Sequence, residues 1–105
     1  MANMANKIDS TMARIVEMVN AAAPSRPGSY FNGGVQAVWN VGDHSVTLVC
    51  DARFERNGEP TIRVSVHGSC SYLNVAEARD FHALYGTVVD TASAVQAYVA
   101  EVALV

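Results

Sequence analysis

The sequence predicts an α+β fold: an N-terminal helix, a three-stranded antiparallel meander and a long C-terminal helix, with both helices on one face of the sheet. Three observations predict it. The stretch His44 to Arg56 alternates strictly, placing Val46, Leu48, Cys50, Ala52 and Phe54 on one side of a pleat and Thr47, Val49, Asp51, Arg53 and Glu55 on the other. Turn residues flank it, Gly42-Asp43 before and Asn57-Gly58 after, so a strand folds back on each side. Beyond the strands the apolar residues recur at spacings of three and four, the stripe of an amphipathic helix.

At the N-terminus, residues 1–6 are expected as a leader, with Asn6 as a helix cap and Asp9 three positions later. Ile8, Met12, Ile15, Val16 and Val19 then form the stripe of a helix over 7–23, which Pro24 ends because its ring clashes with the preceding turn. Residues 24–34 hold two prolines and three glycines and read as a loop, within which Tyr30 and Phe31 are candidate binding residues. The sheet is expected over 35–70. A two-residue turn at Gly42-Asp43, type II′, pairs Trp39 with Val46, Ala37 with Leu48 and Val35 with Cys50, apolar against apolar throughout.

For the second hairpin a two-residue Asn57-Gly58 turn sets Phe54 against Thr61 and mixes faces. A three-residue loop, Asn57 to Glu59, instead pairs Phe54 with Ile62, Ala52 with Val64 and Cys50 with Val66, and it is the expected register because it keeps the apolar set together. It places Cys70 near Val46, four residues along from Cys50 and beyond disulfide reach, so both thiols are expected reduced. Asn74 with Glu77 reads as a cap and capping box opening a helix over 74–103. Such a helix is about 40 Å long, whereas a 105-residue domain has a radius of gyration near about 13 Å. Either the helix bends near Gly86 or it overhangs its own sheet, and a homodimer joined through Tyr85, Val88, Val95, Val99 and Val102 is expected to cover the overhang.

One domain accounts for all 105 residues, and a composition half hydrophobic with 16% charged residues is that of a globular chain. The formal charge of −3, with basic residues scattered, argues against nucleic-acid binding. No signal peptide and no apolar run long enough to span a bilayer is present, so a cytoplasmic protein without membrane association is expected. Neither a metal nor a cofactor is expected, because the histidines, cysteines and acids show no CxxC, HxxxH or HExxH spacing and the glycines of 28–34 lead into a strand.

The sheet face away from the helices holds the other candidate binding residues. In the expected register Asp51 faces Ser65, His67 lies diagonal to Asp51, and Arg53 faces Arg63, a like-charge pair that an anion or acidic partner would relieve. Ser, His and Asp on one face suggest a hydrolase triad, but parallel side chains on a sheet do not converge and no oxyanion hole adjoins Ser65. The expected function is a small non-enzymatic interaction protein that binds a larger protein. Inhibitors that phages and mobile elements direct at host machines such as CRISPR effectors are examples of that class. The alternatives are a homodimer that sequesters a nucleotide or metabolite near Tyr30, Phe31 and the subunit seam, and an enzyme.

Overall fold

The architecture was analysed in a computed structural model, which describes residues 4–31, 34–56, 59–68 and 72–103; side-chain surroundings are described for 10–28, 34–51, 62–68 and 72–102. The order is α1 (Met4–Asn20), β1 (Arg26–Phe31), β2 (Gly34–Val41), β3 (His44–Arg56), β4 (Glu59–Gly68) and α2 (Val75–Ala103). The strands form one antiparallel sheet in the order β1-β2-β3-β4. The chain is thus α+β as expected, with one strand more than the expected three.

The added strand is β1, in the segment read as a loop. Its pairing with β2 runs from Arg26 opposite Val38 to Phe31 opposite Gly34, interrupted by an irregularity between Arg26 and Ser29. Pro27 fits there because β1 is an edge strand, where a missing N–H breaks no ladder on the free side. Gly28 fits because α1 closes over it: a Cβ would stand 3.2 Å from Val19 Cγ1. Asn20 fixes this approach, its Oδ1 accepting from the Gly28 amide at 2.6 Å.

Helix α1 begins at Met4, ahead of the expected start, so Asn6 lies inside it and is not its cap. It stops at Asn20, short of the expected 23, and Ala21 to Ala23 close its end through bonds to Glu17, Val19 and Asn20 carbonyls. Ala23 adopts φ 53°, the left-handed conformation that ends a helix, directly before Pro24. Met12, Ile15 and Val19 are buried from this helix. Trp39 Nε1 donates to the Ala22 carbonyl at 3.0 Å, tying the helix end to β2.

The β2–β3 hairpin has the expected register, with Trp39 opposite Val46, Ala37 opposite Leu48 and Val35 opposite Cys50. Gly42 has φ 56° and Asp43 does not share a positive φ, as a type II′ turn requires. The β3–β4 register differs from the expectation. Cys50 pairs with Ile62, Leu48 with Val64 and Val46 with Val66, four residues from the expected partners. Beyond Asp51 the ladder shifts and resumes at Arg56 opposite Glu59, the closure of a two-residue turn. The two strands therefore close over two residues, and extra residues on β3 absorb the mismatch as a bulge. A four-residue displacement is even, so every side chain keeps its face. Gly68 ends β4 opposite His44, and Cys70, whose expected place was beside Val46, lies outside the described residues.

Asn74 caps α2 as expected: its Oδ1 accepts from the Glu77 amide at 2.8 Å and its own amide donates to Glu77 Oε1 at 3.2 Å, a reciprocal capping box. The helix runs as one element through Gly86. Both helices lie on the sheet face of Val35, Ala37, Trp39, Val46, Leu48 and Cys50, with α1 over β1 and β2 and α2 over β4, β3 and β2. Val88, Val95 and Val99 are buried in that same core. They are therefore not the uncovered surface assigned to a second subunit; of that set Tyr85 is exposed and Val102 half-buried. The expected overhang fails because the molecule is elongated, with a radius of gyration of 15.0 Å and extents of 55 × 23 × 22 Å, so the long helix lies along a long hairpin.

Candidate functional site: the open sheet face

Away from the helices the sheet presents Gln36, Val38 and Asn40 from β2, Ser45, Thr47, Val49 and Asp51 from β3, and Arg63, Ser65 and His67 from β4. Pairing with Val38 brings Arg26 of β1 to the same face. Sequence reasoning missed Arg26 because Pro27 and Gly28 follow it; the adjacent Tyr30-Phe31, both strand-favouring aromatics, were the one local sign of a strand.

The register groups the candidate residues in a new way. Phe31 pairs with Gly34, Gly34 with Asp51 and Asp51 with Thr61, so a candidate from the supposed loop and one from the sheet share a row. Tyr30 pairs with Val35, in a row that runs through the buried Cys50 to Ile62. The side chains of Tyr30, Phe31 and Arg53 lie outside the described set. Arg63 pairs with Val49 and not with Arg53, which falls in the shifted stretch between Asp51 and Arg56; the expected facing arginines are not formed.

The hydrolase geometry also dissolves. Ser65 pairs with Thr47 and His67 with Ser45, whereas Asp51 pairs with Thr61. Asp51 thus stands four residues along β3 from the Ser65 position, about 13 Å at strand rise, and farther from His67. No proton relay spans that separation.

Charge is distributed unevenly between the two layers, the helices exposing Arg14 and Arg79 beside their acids. Arg26, Arg63 and His67 are exposed on the open face, where Asp51 is 4% exposed. Among the described residues the exposed carboxylates are Glu17, Asp80, Asp90 and Glu101 on the helices and Asp43 in the β2–β3 turn. Among the described residues, a chain of net charge −3 therefore exposes two arginines and no carboxylate on the open face. Val38 and Val49, both half-buried, supply apolar contact between the charged groups.

Cys50 lies behind Asp51 on the core side, fully buried. Burial, with the Asp51 carboxylate adding to it, pushes its thiol from 9.0 up to about 11. It is a protonated core residue at neutral pH and not a nucleophile. Among the described residues no three His, Cys, Asp or Glu side chains gather to hold a metal, and no helix is long and apolar enough to cross a membrane.

A groove of about 410 Å³ lies on the other side of the molecule, between α1 and α2. Met18, Ala21 and Ala94 line it together with the exposed Arg14–Glu17 ion pair and Asp90, and none of the candidate binding residues reaches it. Comparison with protein-family models, with curated proteins and with solved structures finds no match to this chain.

Proposed function

We propose that the chain is a small non-enzymatic binding protein that docks the open face of its sheet onto an acidic surface of a larger protein. One observation carries the reading: among the described residues the exposed charges of that face are Arg26 and Arg63, with His67 exposed on the same face, while the exposed acids of the helices point elsewhere. Arginines on a rigid sheet present fixed donor forks to carboxylates at small entropic cost, and Val38 and Val49 add apolar contact. The helix layer holds the sheet rigid and takes no part in the contact. Occluding a working surface in this way is how an inhibitor of a macromolecular machine acts, including those that phages and other mobile elements direct at host defences such as CRISPR effectors.

The test is capture of a partner by immobilised wild-type chain, with the Arg26→Glu/Arg63→Glu double variant alongside. Both substitutions lie on exposed positions, so circular dichroism and melting temperature should match wild type. A partner retained by wild type, released by salt and lost by the double variant supports the reading. A partner held equally by both chains refutes it.

A further inference from the structure

We infer that the outer edge of β4 takes up an extended segment of the partner protein as a fifth strand of the sheet, a segment in which apolar and acidic side chains alternate. This pairing rests on the reading of the open face as the surface for an acidic partner, and it adds the shape of what docks there.

Hairpin geometry fixes where the free backbone groups lie. Val41 and His44 close a two-residue turn and exchange both their hydrogen bonds, and bonded pairs recur at every second residue of an antiparallel ladder. On β3 the even-numbered residues from His44 to Cys50 therefore bond to β2, and the odd-numbered ones from Ser45 to Asp51 bond to β4. Their partners there are His67, Ser65, Arg63 and Thr61. Ile62, Val64, Val66 and Gly68 turn their N–H and C=O groups the other way, to the side where the sheet ends. Among the described residues no group is hydrogen-bonded to that outer side.

The two edges of the sheet differ. β1 is short, carries Pro27 and has an irregularity between Arg26 and Ser29, features that blunt an edge. β4 pairs with β3 without interruption from Thr61 to Gly68, and from Ile62 to Gly68 it presents about 20 Å of edge with no proline. A donor and an acceptor at every second residue are complemented by extended backbone, which selects a strand over a helix or a rounded surface.

The side chains along the edge specify the rest. A residue laid opposite Val66 places its side chain on the helix-side face, beside a valine that is 49% exposed. Residues opposite Arg63 and His67 stand on the open face, where an acid meets the exposed arginine. Charge also selects against a second copy of this chain. Between Ile62 and Gly68 the open-face side chains are Arg63, Ser65 and His67, so a second β4 laid along the first brings no carboxylate to Arg63. Nor does a second β1, whose segment Arg26–Phe31 contains no acid.

Amide hydrogen exchange followed by NMR, with synthetic peptides as probes, tests the pairing. In the free chain the amides of Ile62, Val64, Val66 and Gly68 should exchange fast, while those of Arg63, Ser65 and His67 are protected. A peptide alternating valine and glutamate, at about ten times its Kd, should slow the outward set about tenfold, and a valine/lysine counterpart should not. Val66→Pro removes an outward donor and breaks no bond to β3; it should weaken the valine/glutamate peptide about tenfold, whereas Val66→Thr should not. Outward amides already protected in the free chain overturn the inference, as does a valine/glutamate peptide that fails to bind at millimolar concentration. Peptide shifts confined to Arg26, Gln36 and Val38, with exchange along β4 unchanged, overturn the edge strand and leave the open-face reading standing. Equal protection by both peptides refutes the acidic partner, and the inference with it.

Discussion

Leu48→Ala measures whether β3 divides the molecule into a structural face and a free one. Leu48 is fully buried at the middle of the central strand pair, opposite Ala37 and Val64 and beneath the helix layer. Truncation removes the transfer energy of the lost carbons and leaves a cavity that rigid strands on both sides cannot close, a loss of about 3–4 kcal/mol within the usual range for such sites. A domain of this size holds about 5–15 kcal/mol in all, so the variant keeps its fold but sits near the edge of stability. Val49→Ala, one residue along and half-buried on the open face, should cost about 1 kcal/mol, mostly strand propensity. Urea titration followed by the fluorescence of Trp39, the single tryptophan, reports both variants against wild type. With a urea slope of about 2 kcal/mol per molar, mid-range for a domain of this size, Leu48→Ala should lower the midpoint by about 1.5–2 M and Val49→Ala by about 0.5 M. Equal losses at the two positions would refute the division of faces.

Other expected outcomes are smaller. Asn74→Ala removes the reciprocal cap of α2 and should cost about 1 kcal/mol in thermal denaturation. Ala23→Gly relieves the left-handed backbone at the end of α1 and, after the entropy that glycine adds to the unfolded chain, should gain about 0.5 kcal/mol in the same assay. Cys50 should make stability fall in alkali. Its thiol holds the proton to about 11 in the fold and to 9.0 in the unfolded chain, so between those values unfolding releases a proton that folding retains. Stability is untouched below that window and drops across it by at most about 1.4 kcal/mol per pH unit, a slope that Cys50→Ala should reduce in pH-dependent denaturation.

The parts of this fold legible in the sequence are those governed by local periodicity. Alternation from His44 to Asp51 assigned every described side chain of β3 to its face, and Gly42-Asp43 fixed the first hairpin because only one register matches apolar to apolar. The second hairpin defeated the same reasoning. Hydrophobic matching along the whole of β3 misplaces β4, because a bulge after Asp51 lets the Arg56–Glu59 closure coexist with the pairing of Ile62 to Val66 against Cys50 to Val46. Strand β1 was hidden because Pro27 and Gly28 are breakers in isolation; tertiary context, an edge position and the close pass of α1, makes both acceptable. The face of the candidate site was legible, but its neighbours were not. A four-residue displacement separates Asp51 from Ser65 and Arg63 from Arg53 while leaving Asp51, Ser65 and Arg63 on the face where the sequence put them. The surface of α2 was misjudged for a different reason. Assuming a near-spherical domain left Val95 and Val99 without cover, whereas an elongated sheet covers them and leaves Val75, Tyr85 and Val89 outside.

Photo-cross-linking from single positions tests most directly whether the open sheet face receives the partner. A photoreactive residue in place of the exposed Gln36 stands on that face, and one in place of the exposed Ala97 stands on the helix layer. Irradiation of the captured complex should join the partner to position 36 and leave position 97 unreacted. Cross-links from position 97 with none from position 36 would put the partner on the helices and contradict the account.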